Sequence, residues 1–569
     1  MMTSAKTDDI YARDYDVVII GGGITGAGTA RDCAMRGLRV LLVEQADFCH
    51  GATGRNHGLL HSGARYAVTD SESARECIGE NMILRRIASH CVDETDGLFI
   101  TLPEDDLAYQ QTFVESCINA GIRAEVIDPA LARQLEPSVN PALVGAVRVP
   151  DASVDPFRLT MANLLDARRH GATLLNYHEV ESLIVRSGRV EGVKLIDKHN
   201  KRNNIEVRAR VVINAAGIWG QRIAEMAGVK VSLFPSRGAL LIFGHRVNGM
   251  VINRCRKPAN ADILVPDDAV CVIGTTSDRV PMEAIDDMRV TAAEVDLLLR
   301  EGAKMAPALA TTRVLRAYAG VRPLVACDDD PSGRRTSRGI VCYDHATRDG
   351  LEGFLTITGG KMMTYRLMAE TVTDAACKKL GVTVACSTAT TALPGSILAQ
   401  THADFKGSFG TRAAIGRHGT MASEFLSRAN HTEKSLNSDD DALVCECEGV
   451  TVSEIKYAVA CQHARSLVNL RQRTRLGMGT CQGNLCAARA ANLMGALRGD
   501  QKQARADLME FIDERWKGLR PVAWGDTLRE AQLIDKIYQG LCGLSLAQNM
   551  QKNNSSFLTP NSSLEENEG

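Results

Sequence analysis

The chain is poor in aromatic residues and has no excess of charge of either sign. Aromatic residues make up 4% of its 569 residues, and 66 basic residues stand against 68 acidic ones, a formal net charge of −2. Nucleic-acid-binding proteins usually carry a basic excess, and many add aromatic platforms on which bases stack. We therefore expect no nucleic-acid partner.

The sequence also lacks an apolar run long enough to span a bilayer, and its first segment does not resemble an export signal. That segment, MMTSAKTDDIYARDYDVVII, has acidic residues where a signal peptide needs a basic and then an apolar stretch. We expect a cytosolic protein whose thiols stay reduced, so most of the 17 cysteines should be free. Cys33, Cys117 and Cys271 are expected to be small buried hydrophobes.

The segment Tyr15–Gln45 predicts one βαβ unit. An apolar, β-branched stretch is followed by glycines, a helical stretch and a second apolar stretch. The predicted elements are a strand at Asp16–Ile20, a helix at Thr25–Arg36 closed by Gly37, and a strand at Leu38–Val43 that ends at Glu44. Such a unit is typical of dinucleotide-binding proteins.

Gly21, Gly23 and Gly26 follow the pattern G-x-G-x-x-G. In that pattern the first glycine permits a tight turn, the second lets the backbone approach a pyrophosphate, and the third lets helix and strand pack closely. The start of the helix offers free N–H groups to the phosphates, and Glu44 is placed to accept a hydrogen bond from a ribose hydroxyl. The unit favours FAD as the cofactor, but taken alone it does not exclude NAD(P).

Three later segments favour FAD. Residues Cys49–Tyr66 predict a polar, glycine-rich loop, Val211–Gly220 a buried strand ending in small residues, and Gly353–Glu370 a strand, a Gly-Gly turn and a helix. The Gly-Gly turn can aim N–H groups at the pyrimidine oxygen of a flavin ring. The order of these three segments along the chain is a more specific sign of an FAD-binding domain than any one segment is.

From about Tyr15 to Leu380 the chain resembles the FAD-dependent glycerol-3-phosphate dehydrogenases, within the broader D-amino-acid-oxidase-like group. The resemblance is carried by GGGITGAG, LLHSGARY, INAAGIW, VIGTTS, AGVRPL and TGGKMMTYR. It implies an α/β fold with an N-terminal FAD-binding Rossmann-type βαβ domain and an inserted, mostly antiparallel substrate subdomain. The cofactor-binding residues that it implies are Gly21, Gly23, Gly26, Glu44, Thr53, Arg55, Asn56, His61, Ala216, Gly217, Gly359, Gly360 and Met362.

A small phosphorylated alcohol needs fixed positive charge, and arginine offers paired donors that match phosphate oxygens. The resemblance implies oxidation of sn-glycerol 3-phosphate at C2 to dihydroxyacetone phosphate, with hydride transfer to FAD and a base that takes the hydroxyl proton. The expected catalytic residues are Lys361, His61 and Arg322. The expected substrate-binding residues are Arg65, Tyr66, Arg322, Arg338 and Lys361.

One position departs from the family pattern. The stretch SRGALLIF has Leu240 where the family usually has a histidine after a Gly-Ser pair. One polar contact is therefore missing, and the identity of the base is left open between His61 and Lys361.

Two cysteine pairs lie near the end of the chain. Cys445 and Cys447 form C-x-C, and Cys481 and Cys486 form C-x4-C. Structural zinc sites usually show C-x2-C twice, whereas this uneven spacing better suits four thiolates around a [2Fe–2S] cluster. Zinc and unligated thiols stay open as alternatives.

The segment of the second pair also holds three glycines that are expected to bring N–H groups near sulfur, which tunes such a cluster. They are Gly477, Gly479 and Gly483. The module resembles the bacterioferritin-associated-ferredoxin-like [2Fe–2S] domain. A flavin domain joined to it resembles the catalytic subunits of anaerobic, quinone-linked glycerol-3-phosphate dehydrogenase complexes.

That resemblance implies a role in anaerobic respiration and glycerol catabolism. The implied partners are a second flavoprotein, in which an FMN is possible, and a membrane-associated iron–sulfur subunit, with the quinone reached indirectly. The implied location is the cytoplasm, peripheral on the inner face of the cell membrane through those subunits.

Two other functions stay open. TGRNHG resembles the 2-hydroxyglutarate-oxidising relatives, so a flavoprotein dehydrogenase of a 2-hydroxy acid or an amino acid is one alternative. A non-enzymatic FAD and zinc scaffold is the other.

Length and a 45% share of hydrophobic residues allow two to four domains. The polar, acidic stretch HTEKSLNSDDDA predicts a linker before the cysteines, and the polar, low-complexity end predicts disorder. The predicted divisions are an FAD-dependent oxidoreductase domain at 12–385, a connecting segment at 386–441, a [2Fe–2S]-binding domain at 442–498, a helical region at 499–548 suited to docking, and a disordered tail at 549–569.

Overall fold

The structure is a computed structural model that describes residues 10–286, 288–325, 339–396, 407–426 and 439–540. Arg338, parts of the predicted connecting segment and the predicted tail lie outside the described residues. Within the described ranges, no helix is both long enough and apolar enough to cross a bilayer.

A parallel array of five strands forms the centre of the first sheet. In order across the sheet, the strands are Phe354–Gly359, Arg202–Asn214, Tyr15–Ile20, Val40–Glu44 and Thr173–Asn176. Antiparallel neighbours extend it: Ile340–Asp344 pairs with the first of these strands, and the hairpin His178–Arg186 and Arg189–Asp197 pairs with the second. The central strands are apolar and mostly β-branched, as expected where elements cover both faces of a parallel sheet.

The predicted βαβ unit is confirmed with small shifts at its boundaries. Its helix is Ile24–Met35, one residue earlier at each end than predicted, and its second strand begins at Val40 rather than at Leu38. The N–H group of Leu38 still donates to the carbonyl of Cys33, at 3.1 Å, and so belongs to the C-terminal cap of the helix.

The second sheet has nine strands and is antiparallel except for one pair. Leu233–Phe243 pairs with Val314–Val325 along most of its length, and the parallel pair joins Val251–Arg254 to Gly97–Thr101. In order, its path contains Asp278–Arg279, Leu233–Phe243, Cys271–Gly274, Ile263–Pro266, Val251–Arg254, Gly97–Thr101, Gly145–Val149 and Glu125–Ile127. This sheet forms the mostly antiparallel subdomain implied by the resemblance.

Helices cover the two sheets, and a separate small sheet is formed by Leu59–Leu60, Ala152–Val154 and Val92–Asp93. The helices of this part are Ile24–Met35, Ser71–Ile87, Ala108–Asn119, Pro129–Leu135, Pro156–Arg169, Gly220–Met226, Ala292–Met305, His345–Asp349 and Tyr365–Leu380. The first, the fifth and the last of them pack their apolar residues against the central strands in one core.

The C-terminal part is helical, with one short hairpin of Leu443–Cys445 and Val450–Thr451. Its helices are Phe409–His418, Ser423–Leu426, Val452–Cys461, Leu467–Thr474, Ala487–Arg498, Gln501–Leu519 and Gly525–Gly540. The first two of these helices lie within the range predicted as a connecting segment.

The helices after residue 499 pack into the cysteine module. Phe511, Ile512 and Tyr538 share one apolar core with Cys445 and Cys486. The cysteine segment and the helical region predicted separately from it therefore form one folded unit.

The first turn of the βαβ unit requires glycine because three backbone segments meet there. Gly21 has φ +114°, and a Cβ atom on it would lie 2.5 Å from the carbonyl oxygen of Ala215. A Cβ atom on Gly26 would lie 1.9 Å from the carbonyl oxygen of Gly21. Both contacts are with backbone atoms, which cannot move aside as a side chain can. The helix can therefore approach the strand this closely only because Gly21 and Gly26 have no Cβ atom.

Replacing Gly26 with alanine should destabilise the protein by about 3 kcal/mol, because overpacking against backbone forces the helix away from the strand. Chemical unfolding followed by circular dichroism measures the change. Gly79→Ala is the matched control, since Gly79 lies in the helix Ser71–Ile87 with open space around it. That variant should be neutral or slightly more stable. Equal stability of the two variants would contradict the close-approach account.

Candidate functional site

A cavity of about 380 Å³ opens at the carboxyl ends of the parallel strands and extends to the second sheet. Ligands of open α/β sheets bind at this edge. The predicted residues that line it are Gly21, Gly23, Glu44, Thr53, Arg55, Asn56, His61, Arg65, Tyr66, Ala216, Gly217, Arg322, Gly359, Gly360, Lys361 and Met362. Gly26 lies behind the turn and shapes it, and Arg338 is outside the described residues.

One end of the cavity is formed by the start of the helix Ile24–Met35. Its N-cap, Gly23, has no capping side chain, and the N–H group of Ile24 donates to Oγ1 of Thr53 at 3.0 Å. The positive end of the helix dipole therefore faces the cavity, an arrangement that fits a pyrophosphate.

Glu44 ends the second strand and holds the turn together. Its carboxylate accepts hydrogen bonds from the N–H groups of Gly22, at 2.7 Å, and Ala46, at 2.9 Å. Burial raises the pKa of Glu44, and the two N–H donors act against that rise. The carboxylate also lines the cavity, where the oxygen lone pairs left over fit a ribose hydroxyl.

The Gly-Gly turn forms another part of the cavity wall. Gly359 and Gly360 have φ of +79° and +63°, a left-handed conformation that few other residues adopt. A Cβ atom on Gly359 would lie 2.4 Å from the carbonyl oxygen of Gly339. The backbone of this turn can therefore approach a flat ligand, which fits a flavin ring.

Two arginines on the wall are held by neighbouring groups. Nη2 of Arg65 lies 3.1 Å from the buried carboxylate of Asp262, whereas its buried Nη1 has no hydrogen-bond partner in the part of the chain that the structure describes. Arg322 donates to Oγ of Ser236 at 3.2 Å. A Cβ atom on Gly238 would lie 2.3 Å from Nη2 of Arg322, so a glycine there leaves room for the guanidinium.

Lys361 follows the Gly-Gly turn and points into the same region. Its Nζ is buried without a hydrogen-bond partner among the described residues and lies 4.6 Å from the centre of the Tyr66 ring. Burial raises the pKa of Glu76, and the charge of Lys361 opposes that rise. Sequence reasoning missed Glu76, since nothing in the local pattern of its helix distinguishes it from a surface carboxylate.

Both His61 and Lys361 lie beside the ring of Tyr66. The buried ring of His61 lies 5.5 Å from that of Tyr66, between centroids. Leu240, the residue in place of the expected histidine, lines the same cavity with an apolar side chain. Both candidate bases therefore lie at one wall, and the choice between them stays a prediction.

The four predicted cysteines come together between the hairpin and the second cysteine loop. Cys486 contacts Cys445 and Cys481 through its thiol, and Cys481 contacts Cys447. Contact with the Cys486 thiol lowers the pKa of Cys445 to about 7 and that of Cys481 to about 5. The same contacts raise the pKa of Cys486, and burial raises that of Cys447. Four cysteine sulfurs brought together are the ligand set of a [2Fe–2S] cluster, so the arrangement fits one.

Two of the three predicted glycines supply donors to sulfur. The N–H groups of Gly477 and Gly483 donate to Cys445 and Cys481, respectively. Gly479 has a different role, since a Cβ atom there would lie 2.5 Å from the Cβ of Cys447. Across the described ranges, no group of three or more His, Cys, Asp or Glu side chains has the spacing of a site for a single metal ion.

Arg475 attaches the cysteine loop to the rest of the protein. It caps the helix Leu467–Thr474 with φ +64° and is buried among four carboxylates, three of which belong to other parts of the chain. The partners and distances are Asp267 at 2.8 Å, Glu448 at 2.9 Å, Asp268 at 3.0 Å and Asp155 at 3.1 Å. Sequence reasoning missed this residue, because nothing in the local pattern around it distinguishes it from a surface arginine.

Comparison with known families identifies both parts of the chain. The model for "FAD dependent oxidoreductase" matches residues 16–366, and the model for "BFD-like [2Fe-2S] binding domain" matches residues 443–496. A solved glycerol-3-phosphate dehydrogenase from Bacillus halodurans, complexed with FAD, has the same fold, with a TM-score of 0.68 at 22% identity, covering 92% of this chain and 100% of that one.

Relatives that match nearly the whole chain define a narrower family within the FAD-dependent oxidoreductases. The A subunit of anaerobic glycerol-3-phosphate dehydrogenase from Escherichia coli (strain K12) is 59% identical, covering 95% of this chain and 99% of the relative. The A1 subunit of the enzyme from Haloferax volcanii is 43% identical, covering 91% and 89%. The chain therefore belongs to the FAD-dependent oxidoreductases and, among them, to the family of anaerobic glycerol-3-phosphate dehydrogenase A subunits. The predicted FAD and [2Fe–2S] cofactors are confirmed by the two family models.

Replacing Cys481 with serine should remove most of the bound iron and sulfide while leaving the flavin content unchanged, because a hydroxyl is a much harder donor than a thiolate. Iron, sulfide and flavin analysis per chain measures this. Cys461→Ser is the matched control, a free cysteine of the same module outside the set of four. Full iron content in Cys481→Ser would contradict the assignment of Cys481 as a cluster ligand.

Replacing Arg475 with alanine should destabilise the protein by about 3–5 kcal/mol, because it leaves buried carboxylates without their counter-ion. Urea unfolding of the full chain measures the loss. Arg489→Ala removes an exposed pair with Glu446 and should cost at most about 1 kcal/mol. A loss no larger for Arg475→Ala than for this control would contradict the anchoring role.

Proposed function

We propose that the chain oxidises sn-glycerol 3-phosphate to dihydroxyacetone phosphate. One observation carries the proposal: three cationic side chains, of Arg65, Arg322 and Lys361, lie on the wall of the cavity that the predicted FAD residues also line. The relatives named for this activity, at 59% and 43% identity over nearly the whole chain, support it. Bound FAD supplies the hydride acceptor.

The two arginines hold the phosphate of the substrate. Each guanidinium is oriented by a neighbour, Arg65 by Asp262 and Arg322 by Ser236, so little freedom is lost when a phosphate oxygen binds. The buried Nη1 of Arg65 gains its missing acceptor from such an oxygen.

The C2 hydroxyl gives its proton to a base on the wall formed by His61 and Lys361. A buried ammonium with no fixed acceptor among the described residues, as at Lys361, stabilises the developing alkoxide. The imidazole of His61, which lies beside the same Tyr66 ring, accepts the proton. Arg322 contributes positive charge to the same pocket.

Electrons leave the flavin domain through the cysteine module toward partner subunits. The relatives are each named as one lettered subunit of an enzyme, which supports the existence of such partners. They are a second flavoprotein and a membrane-associated iron–sulfur subunit that reduces quinone. The chain itself lies in the cytoplasm, peripheral on the inner face of the membrane through these subunits.

Replacing Arg322 with alanine should raise KM for glycerol 3-phosphate roughly tenfold to a hundredfold, because the phosphate loses a charge-assisted partner worth about 1.5–3 kcal/mol. Steady-state kinetics with an artificial electron acceptor measures KM. Arg279→Ala is the control: it removes an exposed arginine from the edge strand of the same sheet. An unchanged KM in Arg322→Ala would assign the phosphate to other residues.

Glycerol 3-phosphate, added anaerobically to the purified chain, should bleach the flavin absorption bands. The same addition of 2-hydroxyglutarate or of an amino acid should leave them unchanged, because neither carries a phosphate for Arg65 and Arg322. Bleaching by one of these compounds, and not by glycerol 3-phosphate, would establish the alternative substrate class.

A further inference from the structure

A second cavity, of about 1700 Å³, lies between the flavin-binding part and the cysteine module. Arg55, Asn56, His57 and Trp219 line both this cavity and the flavin cavity. The wall on the module side includes Met478 and Gln482, which flank Cys481 in the cluster loop. The space is therefore adjacent to both redox sites, and the function proposed above does not use it.

Three arginines from three different elements meet in this cavity. Arg55 lies within the glycine-rich loop, Arg316 lies on the strand Val314–Val325, and Arg471 lies on the helix Leu467–Thr474 of the module. Burial lowers the pKa of Arg471 to about 9, and the nearby charges of Arg316 and Arg55 add to that effect. The guanidinium of Arg471 still carries its charge at neutral pH.

None of the three arginines forms an ion pair with a carboxylate of the described residues. Arg316 is 7% exposed, and its Nε is buried without a hydrogen-bond partner within those residues; Arg55 contacts the sulfur of Met288. The acidic residue whose charge acts on all three is Glu514, and it already binds Lys517 at 2.8 Å.

The other acidic residues of the wall do not neutralise the arginines. Asp47 is paired with Arg473 at 2.7 Å, and Asp155, Asp267 and Asp268 are paired with Arg475. Asp93 and Asp286 are paired with Arg246 and Arg222, respectively. Glu510 and Asp513 are exposed to solvent. Three buried or half-buried guanidinium groups therefore have only the carboxylate of Glu514 to balance their charge. This arrangement costs free energy unless a bound anion supplies the missing negative charge.

We propose that this cavity binds a phosphate-bearing anion, held by Arg55, Arg316 and Arg471 between the flavin pocket and the cluster loop. Guanidinium groups match the oxygens of a phosphate, and three of them match a dianion. Tyr318, whose ring lies 6.0 Å from the Arg316 guanidinium, and Trp219 line the same space and suit a flat group attached to the phosphate. The site exists only when the module is docked, because Arg471 comes from the module and the other two come from the flavin-binding part.

The same chemistry could come from inorganic phosphate or from a phosphorylated mononucleotide. Isothermal titration of the full flavin-containing chain with inorganic phosphate, riboflavin 5′-phosphate and riboflavin separates these sources. The titrations use a chain that carries Arg322→Ala, because this change weakens phosphate binding in the substrate pocket. Tighter binding of riboflavin 5′-phosphate than of phosphate, with no binding of riboflavin, identifies a mononucleotide site, and equal binding of the two phosphates identifies a phosphate site.

In this background, Arg471→Ala and Arg316→Gln should each weaken binding of the phosphate compounds about tenfold or more, because each removes a charged partner. Lys502→Ala removes an exposed cation from the same wall and should leave binding unchanged. Flavin content and the thermal unfolding midpoint show that each variant is folded. Binding that is absent in the parent chain, unaffected by both arginine variants, or weakened equally by Lys502→Ala would overturn the proposal.

Discussion

The buried guanidinium of Arg475 is the contact on which the arrangement of the two redox sites depends. Asp155 caps the helix Pro156–Arg169 on the parallel sheet, and Asp267 follows a strand of the second sheet, so one side chain joins the cluster loop to both. Glu448 connects the same cation to the first cysteine pair. A buried charge of this kind is tolerated only when its partners are all in place, which makes the docked position specific.

A common feature of the molecule is positive charge held out of water without a fixed acceptor among the described residues. It occurs at Nη1 of Arg65 and Nζ of Lys361 in one cavity and at Nε of Arg316 in the other. Such groups cost free energy in the empty protein, and functional sites are where proteins retain them. Both cavities are thus prepared for anions, and the docked module completes the walls of the second.

The parts of the structure that could be predicted from the sequence are those encoded locally. Gly21 and Gly26 lie within a few residues of each other in a recognisable pattern, and the spacing of the cysteine pairs suits a [2Fe–2S] cluster better than the usual zinc pattern does. Arg475 and Asp155 are 320 positions apart, and Glu76 meets Lys361 only through tertiary packing. No local pattern distinguishes these residues from surface charges, so the anchor and the second cavity could be found only in the folded structure.

Electron transfer from glycerol 3-phosphate to the cysteine module of the same chain is tested most directly by electron paramagnetic resonance. The purified chain, with both cofactors bound, is mixed anaerobically with glycerol 3-phosphate and frozen at successive times. The flavin absorption should fall, and the signal of a reduced [2Fe–2S] cluster should then appear. Bleached flavin without any cluster signal would contradict the route through the module, and no change in either centre would contradict the substrate.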